Sequence, residues 1–208
     1  ALKEHGVEVI ALDMLVDGAL EALPDVPNII YMAGRKFGTG LNQGATWAMN
    51  AMLPTLVSRR FRRSSFVVFS TGNVYPFVPI ERGGSVEDDV AEPVGEYGMS
   101  ALARERVFEY ASRAYGTKVT VFRLNYAVDL RYGVLADLAS SILSDQPISL
   151  ETPCFNCVWQ GYANEVALRS LLTAKSPPER INVTGPETVS VRYAAIELGR
   201  HLSKQPVF

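Results

Sequence analysis

Short apolar runs alternate with amphipathic stretches along the whole of this 208-residue chain. A run of apolar, often β-branched residues bounded by turn residues reads as a strand buried on both faces. Apolar positions recurring every three to four residues read as a helix. Read this way, the strands are Val7–Leu12, Asn28–Met32, Phe66–Ser70, Val119–Leu124, Ile148–Leu150, Phe155–Trp159 and Ile181–Thr184. The helices are Leu41–Phe61, Tyr97–Ala114, Leu135–Ser144, Ala163–Thr173 and Val191–Leu202. Strands that alternate with helices in this manner predict an α/β fold, a doubly wound parallel sheet with helices on both faces. Pro76–Val94 has no period, is rich in Pro and Gly, and carries Glu87, Asp88 and Asp89. It reads as a long loop on the active-site side of the sheet.

Composition narrows the partners. With 48% hydrophobic residues the chain can bury the core of one or two closely joined domains. A formal net charge of −2 argues against a nucleic-acid partner. The basic run Arg59-Arg-Phe-Arg-Arg63 falls where a helix ends, and cations there offset the helix dipole. No apolar run approaches the ~20 residues that span a bilayer, so no membrane partner is expected. Two cysteines and no recognisable signal peptide make the cytoplasm the expected compartment. Cys154-Phe-Asn-Cys157 has no second pair of ligands, so no metal is expected there and both thiols read as ordinary buried side chains. His5 and His201 fall near the two ends on apparent surface helices and carry no expected role.

Two hydroxyls carry the candidate chemistry. Phe66-Val-Val-Phe-Ser-Thr-Gly-Asn-Val-Tyr75 reads as a buried strand that ends in a small-hydroxyl turn at Thr71. Glu96-Tyr-Gly-Met-Ser-Ala-Leu-Ala-Arg-Glu-Arg-Val-Phe-Glu-Tyr110 reads as a helix with Tyr97 in its first turn. A hydroxyl at a strand's carboxyl end facing a tyrosine on the next helix is a proton-transfer pair, and it points to redox chemistry at an alcohol or ketone.

These segments resemble the extended short-chain dehydrogenase/reductases, the NAD-dependent epimerase/dehydratase family. The resemblance implies a Rossmann-like fold with a smaller C-terminal substrate lobe, NAD or NADP as cofactor, and a sugar or nucleotide-sugar substrate. It makes Thr71 and Tyr97 the catalytic pair. It places Asp13 and Met14 beside the adenine, with Met32, Ala33, Gly34, Arg35, Lys36, Asn50, Ser70, Tyr97 and Asn125 along the cofactor. Thr71, Asn73, Tyr126 and Arg131 fall to the substrate, Arg131 as the bidentate grip on an anionic group. The implied division is residues 1–128 for the cofactor domain and 129–208 for the substrate lobe with returning elements. Val7–Leu12 corresponds to the family's third strand, so the resemblance implies an N-terminally incomplete fold. Its glycine-rich phosphate turn would lie upstream, within about 50–70 residues (two βα units). Ala33-Gly34-Arg-Lys-Phe-Gly38-Thr-Gly40 also fits a dinucleotide glycine pattern; its distance from Tyr97 favours the family's fourth-strand turn, and both readings make Met32–Lys36 cofactor-lining. Helices Leu41–Phe61 and Tyr97–Ala114 resemble the family's dimer contact, so a homodimer is expected.

One departure matters as much as the match. The family's catalytic lysine, four residues after the tyrosine, is Ala101 here. A free phenol titrates near 10, and a cation about 5 Å away at an effective dielectric of about 20 is worth roughly 3 kcal/mol, about two pK units. Without it, base catalysis at neutral pH is weakened. Lys36 is one candidate substitute. Arg104, seven residues beyond Tyr97, reads as too far along the helix axis and as a solvated cation with its stem on the surface. Ala101 also leaves open a second class, a cofactor-binding sensor or scaffold without turnover.

Overall fold

A computed structural model describes residues 2–208. The central sheet has four strands. Three of them, β1 (Asn28–Tyr31), β2 (Ser65–Thr71) and β3 (Val119–Leu124), lie side by side. Two small pairs follow in the chain: β4 (Ala127–Val128) with β6 (Val158–Trp159), and β5 (Cys154–Phe155) with β8 (Val189–Ser190). Between β6 and β8 the chain returns through β7 (Glu179–Val183), which completes the main sheet in the order β1-β2-β3-β7. All three pairings in that sheet are parallel, with Phe66 opposite both Ile29 and Val119.

Parallel neighbours require crossovers, and the helices supply them. They are α1 (Gln43–Trp47), α2 (Leu53–Arg60), α3 (Gly95–Tyr115), α4 (Val134–Leu143), α5 (Gln160–Thr173) and α6 (Val191–Leu202). Successive strand residues point to opposite faces. Phe66, Val68, Val119 and Val121 therefore pack with Leu53, Val57 and Phe108 on one side. Val67 and Phe122 pack with Ala163 and Ala167 of α5 on the other. Burial on both faces explains why these strands read as unbroken apolar runs, and the doubly wound α/β expectation holds. A separate small core of Leu138, Ile142, Ile148, Phe155, Val191, Ala194 and Ala195 joins α4 and α6 beyond the sheet. The 129–208 region is thus divided: α4 and α6 form that small core, while α5 and β7 return to the main sheet.

Four expected elements change. Val7–Leu12 carries no strand pairing and leaves Val7, Val9 and Ile10 exposed. Ile148–Leu150 is irregular; Ile148 N–H instead donates to Val207 O in the C-terminal tail. Phe155–Trp159 divides into β5 and β6, which pair in different sheets. The long helix Leu41–Phe61 starts at Gln43, after Asn42 caps it by accepting from Ala45 N, and passes through a π-helical turn at Ala48–Met52. Pro54 accounts for that turn: it has no N–H to give Asn50 O and its ring crowds that carbonyl, so the ladder loosens there.

Beside β2 and β3 lies a buried ionic network. Arg123 of β3 donates to both carboxylate oxygens of Glu105 on α3, at 2.9 and 2.7 Å, with both residues almost fully buried. Ser70 Oγ donates to the same carboxylate, and Arg123 Nη1 reaches Tyr75 OH and the backbone oxygen of Glu87. Burial works to lower the Arg123 pKa, but the hydrogen bonds and charge of Glu105 outweigh it and hold the guanidinium above its ordinary value. Tyr75 OH donates to Asn182 Oδ1, and Asn182 N–H donates to Glu87 Oε1, so the network carries the 76–94 loop down onto β7. Glu105→Gln leaves a buried guanidinium without its counter-charge, and a loss of about 3 kcal/mol or more is expected. Urea denaturation measures it; a loss below about 1 kcal/mol would show that the pair does not brace the sheet.

Candidate active site

A cleft of about 720 Å³ opens across the C-terminal ends of β1, β2 and β3. Its walls come from the turn after β1 (Met32 and Gly34 to Phe37), the end of β2 (Phe69 to Thr71), the stretch Leu124 to Ala127, and Tyr97 on the first turn of α3. Carboxyl ends of parallel strands are where doubly wound sheets bind ligands.

Thr71 and Tyr97 share this cleft. Thr71 is buried, and its Oγ1 accepts from Asn73 N, capping a short 3₁₀ turn over Gly72–Val74. That bond uses a lone pair and leaves the hydroxyl proton to be given elsewhere. Gly98 brings α3 in close: a Cβ there would stand 2.5 Å from Asn73 O and 2.9 Å from Pro93 Cβ. Only a glycine lets the residue after Tyr97 lie against the turn that Thr71 caps. Asn73, Asn125 and Tyr126 line the same space, Tyr126 with a left-handed φ of 40°.

Asn50 stands behind the wall. It is fully buried and spends every hydrogen bond of its amide on the protein: Oδ1 accepts from Arg35 N and Arg104 Nη2, while Nδ2 donates to Arg35 O and Ser100 Oγ. Ser100 Oγ donates in turn to Tyr97 O. With nothing left to give a cofactor directly, Asn50 shapes the turn that would hold one.

Arg104 overturns the reading made from the sequence. It is 6% exposed, lines the cleft, and donates through Nη1 to Phe69 O at 2.7 Å and through Nη2 to Asn50 Oδ1 at 2.8 Å. Helical side chains lean toward the N-terminus, so this long side chain reaches back toward the strand ends instead of standing out in solvent. Burial pushes the Arg104 pKa down, opposed by the neighbouring Tyr31, Tyr97 and Glu105.

The remaining candidates divide. Met32, Gly34, Arg35 and Lys36 line the cleft, whereas Ala33 packs against the core below. Lys36 Nζ donates to Tyr132 OH at 2.7 Å, a wall residue from the segment after β4. Ser70 lines the cleft, but its hydroxyl is committed to Glu105. Arg131 does not line it: its side chain is 91% exposed beside Asp129. Asp13 is exposed and accepts from Leu15 N, and Met14 lines a separate hollow with Leu20, Leu56 and Arg59. Asp137 and Gln160 were not foreseen; they reach the cleft because α4 and α5 start beside it, and no motif marks them. Among the described residues no cluster of three or more His, Cys, Asp or Glu is placed to hold a metal, and Cys154 and Cys157 are free thiols.

The chain matches the model of the NAD dependent epimerase/dehydratase family over residues 1–149. Among solved structures it is similar to UDP-glucuronic acid 4-epimerase from Bacillus cereus in complex with NAD, at 17% identity and a TM-score of 0.79, over 94% of this chain and 65% of that one. It is also similar to RMD from Pseudomonas aeruginosa complexed with NADPH, at 19% identity and a TM-score of 0.83, over 95% of this chain and 75% of that one. MoeE5 in complex with UDP-glucose and NAD gives 17% identity and 0.76, over 95% and 69%. The chain thus spans about two thirds of the length of the first of these. At such identities the likeness shows the fold. No curated protein matches the chain.

The donor set fits an anionic, hydroxyl-rich cofactor end. Arg35, Lys36 and Arg104 face one lining carboxylate, Asp137, and both arginines keep a buried Nε–H without a partner. Ribose and phosphate oxygens are acceptors for such groups.

Tyr31, beneath Arg104 at 5.9 Å from the guanidinium carbon to the ring centroid, has a buried hydroxyl with no partner. Burial pushes its pKa up to about 12, against an opposing effect of Arg104. A raised folded-state value means the unfolded chain gives up its proton first, so stability present below pH ~10 is lost as pH rises toward ~12. The Tyr31→Phe protein is expected to match or exceed wild-type stability at pH 7 and to lose up to about 2 kcal/mol less between those limits. Denaturation series at both pH values measure this; an identical alkaline loss in the two proteins would contradict it.

Proposed function

The chain belongs to the NAD-dependent epimerase/dehydratase family, and we propose that it carries the catalytic cleft of an enzyme acting on a sugar or nucleotide-sugar carbinol. The observation that carries this reading is the meeting of Thr71 and Tyr97 in one cleft at the strand ends, with Gly98 permitting the close approach. Bound beside them, NAD or NADP supplies a hydride acceptor. Met32, Gly34, Arg35 and Lys36 would hold it from the β1 side, and Asn125 from the β3 side.

The protein's own residues then have separable tasks. Thr71 donates its hydroxyl proton to the carbinol oxygen and fixes its direction. Tyr97 takes the carbinol proton as the carbon is oxidised and returns it when the ketone is reduced on either face. Asn73 and Tyr126 flank the sugar, and Tyr132 with Asp137 closes the far wall. The similar structures, complexes with NAD and in one case with UDP-glucose, support a sugar nucleotide as substrate. Two free thiols fit a cytoplasmic protein. The Tyr97→Phe protein should lose about 10²–10⁴-fold in sugar-dependent reduction of NAD(P). Absorbance at 340 nm follows it; full turnover in Tyr97→Phe would refute this assignment.

Ala101 favours a second reading, a protein that binds the cofactor without turnover. It is distinguished by saturable NAD(P) binding with no reduction by any sugar nucleotide in a panel.

Pairing of two copies through α2 and α3 is part of the same proposal. Met52, Leu56, Met99 and Tyr110 are exposed along this helical layer, and a groove between α2 and α3 is lined by Val107, Ala111 and Tyr115. Light scattering is expected to give twice the chain mass, falling to the chain mass in Leu56→Glu/Tyr110→Glu; a wild-type monomer would exclude it.

A further inference from the structure

Position 101, where the family carries its lysine, is a fully buried alanine, 1% exposed. Arg104 lies about one helical turn further on, and a helical side chain leans toward the helix N-terminus. Three features hold its guanidinium in the cleft wall. Phe69 O and Asn50 Oδ1 accept its two ends, and Gly34 leaves it room, since a Cβ on that residue would collide with Arg104 Nη2. The cation is therefore built in, at the cost of a glycine, a buried amide and a small residue at 101.

We propose that Arg104 is the positioning cation of this site, taking from the next turn of α3 the electrostatic task that Ala101 cannot perform for Tyr97. This rests on the reading of Tyr97 as the proton carrier. Arg104 stabilises the charge that Tyr97 bears after it gives up its proton. Both side chains line the same cleft, and Tyr97 is among the groups that hold the Arg104 guanidinium's pKa up against the effect of burial.

The other charged groups around the pair do not compete. Lys36, on the turn after β1, is exposed and bonded to Tyr132 OH. Arg35 on the same turn donates to Gly38 O. Glu105, beside Arg104 on α3, is neutralised by Arg123 of β3. Glu96, before Tyr97, accepts from Trp47 Nε1 on α1. Tyr31 of β1 carries no charge until strongly alkaline pH, and Asp137 enters from α4 on the far wall.

The test uses the cofactor-free protein with tyrosine labelled at its ring Cζ, titrated by NMR, the Tyr97 resonance being assigned by its loss in Tyr97→Phe. In Arg104→Gln the Tyr97 titration is expected to move to higher pH, and the neutral-pH turnover to fall about 10- to 100-fold, recovering as pH rises. Arg104→Lys should restore part of both. Moving the cation, in Ala101→Lys/Arg104→Ala, should return the titration toward wild type. If Arg104→Gln does not fold, Asn50→Asp sets a carboxylate against the guanidinium and should move the Tyr97 titration the same way. An unmoved Tyr97 titration in a folded Arg104→Gln or Asn50→Asp protein overturns the proposal. Because the titration needs no turnover, it separates this failure from that of the functional reading, which falls if Tyr97→Phe remains active.

Discussion

A single buried amide holds the functional end of this fold together. Asn50, at the loosened π-turn before Pro54, bonds the turn after β1 through both the N–H and the carbonyl of Arg35, and joins α3 through Ser100 and Arg104. Arg104 carries the linkage onward to the last residues of β2 through Phe69 O. A buried amide and a buried guanidinium are each costly alone; bonded to one another and to backbone they form a wall that cannot relax at one point without exposing polar groups at the next. The cleft is rigid on this side because its polar groups have few alternatives.

On the other side of β2 the bracing is ionic. Glu105 and Arg123 lock α3 to β3, and Tyr75, Glu87 and Asn182 extend that lock to the long loop and to β7. Adjacent residues of α3 thus serve different neighbours: Arg104 faces β1 and β2, while Glu105 faces β2 and β3. Between these two anchors the first turn of the helix is pressed onto the Gly72–Val74 turn at Gly98, and this brings Tyr97 to the cleft that Thr71 also lines. The shared cleft depends on helix placement, and helix placement depends on a cation and an anion side by side in the sequence.

The sheet was legible because its strands are buried on both faces: the runs Phe66–Ser70 and Val119–Leu124 coincide with β2 and β3 to within a residue. Val191–Leu202 was read without error, its Ser190 cap accepting from Tyr193 N. Pairing was not legible. Val7–Leu12 has a strand's composition without a described partner, and Phe155–Trp159 changes sheets halfway. The shared cleft of Thr71 and Tyr97 followed from local context, whereas Arg104 was misjudged as a solvated cation because its buried seat is made by Phe69 O, Asn50 and Gly34, which lie far from it in the sequence. Arg131 failed for the opposite reason: a loop arginine has suitable chemistry wherever it points, and only the fold shows it turned to solvent.

The account stands on two hydroxyls converging on one carbinol beside a nicotinamide. A crystal structure of the full-length protein with NAD and a UDP-hexose tests that most directly. The account predicts Tyr97 Oη and Thr71 Oγ1 within about 2.6–3.2 Å of the same sugar oxygen, with the nicotinamide in the cleft between Gly34 and Asn125. A cofactor bound elsewhere, or a sugar touching one hydroxyl while the other faces away, would contradict it.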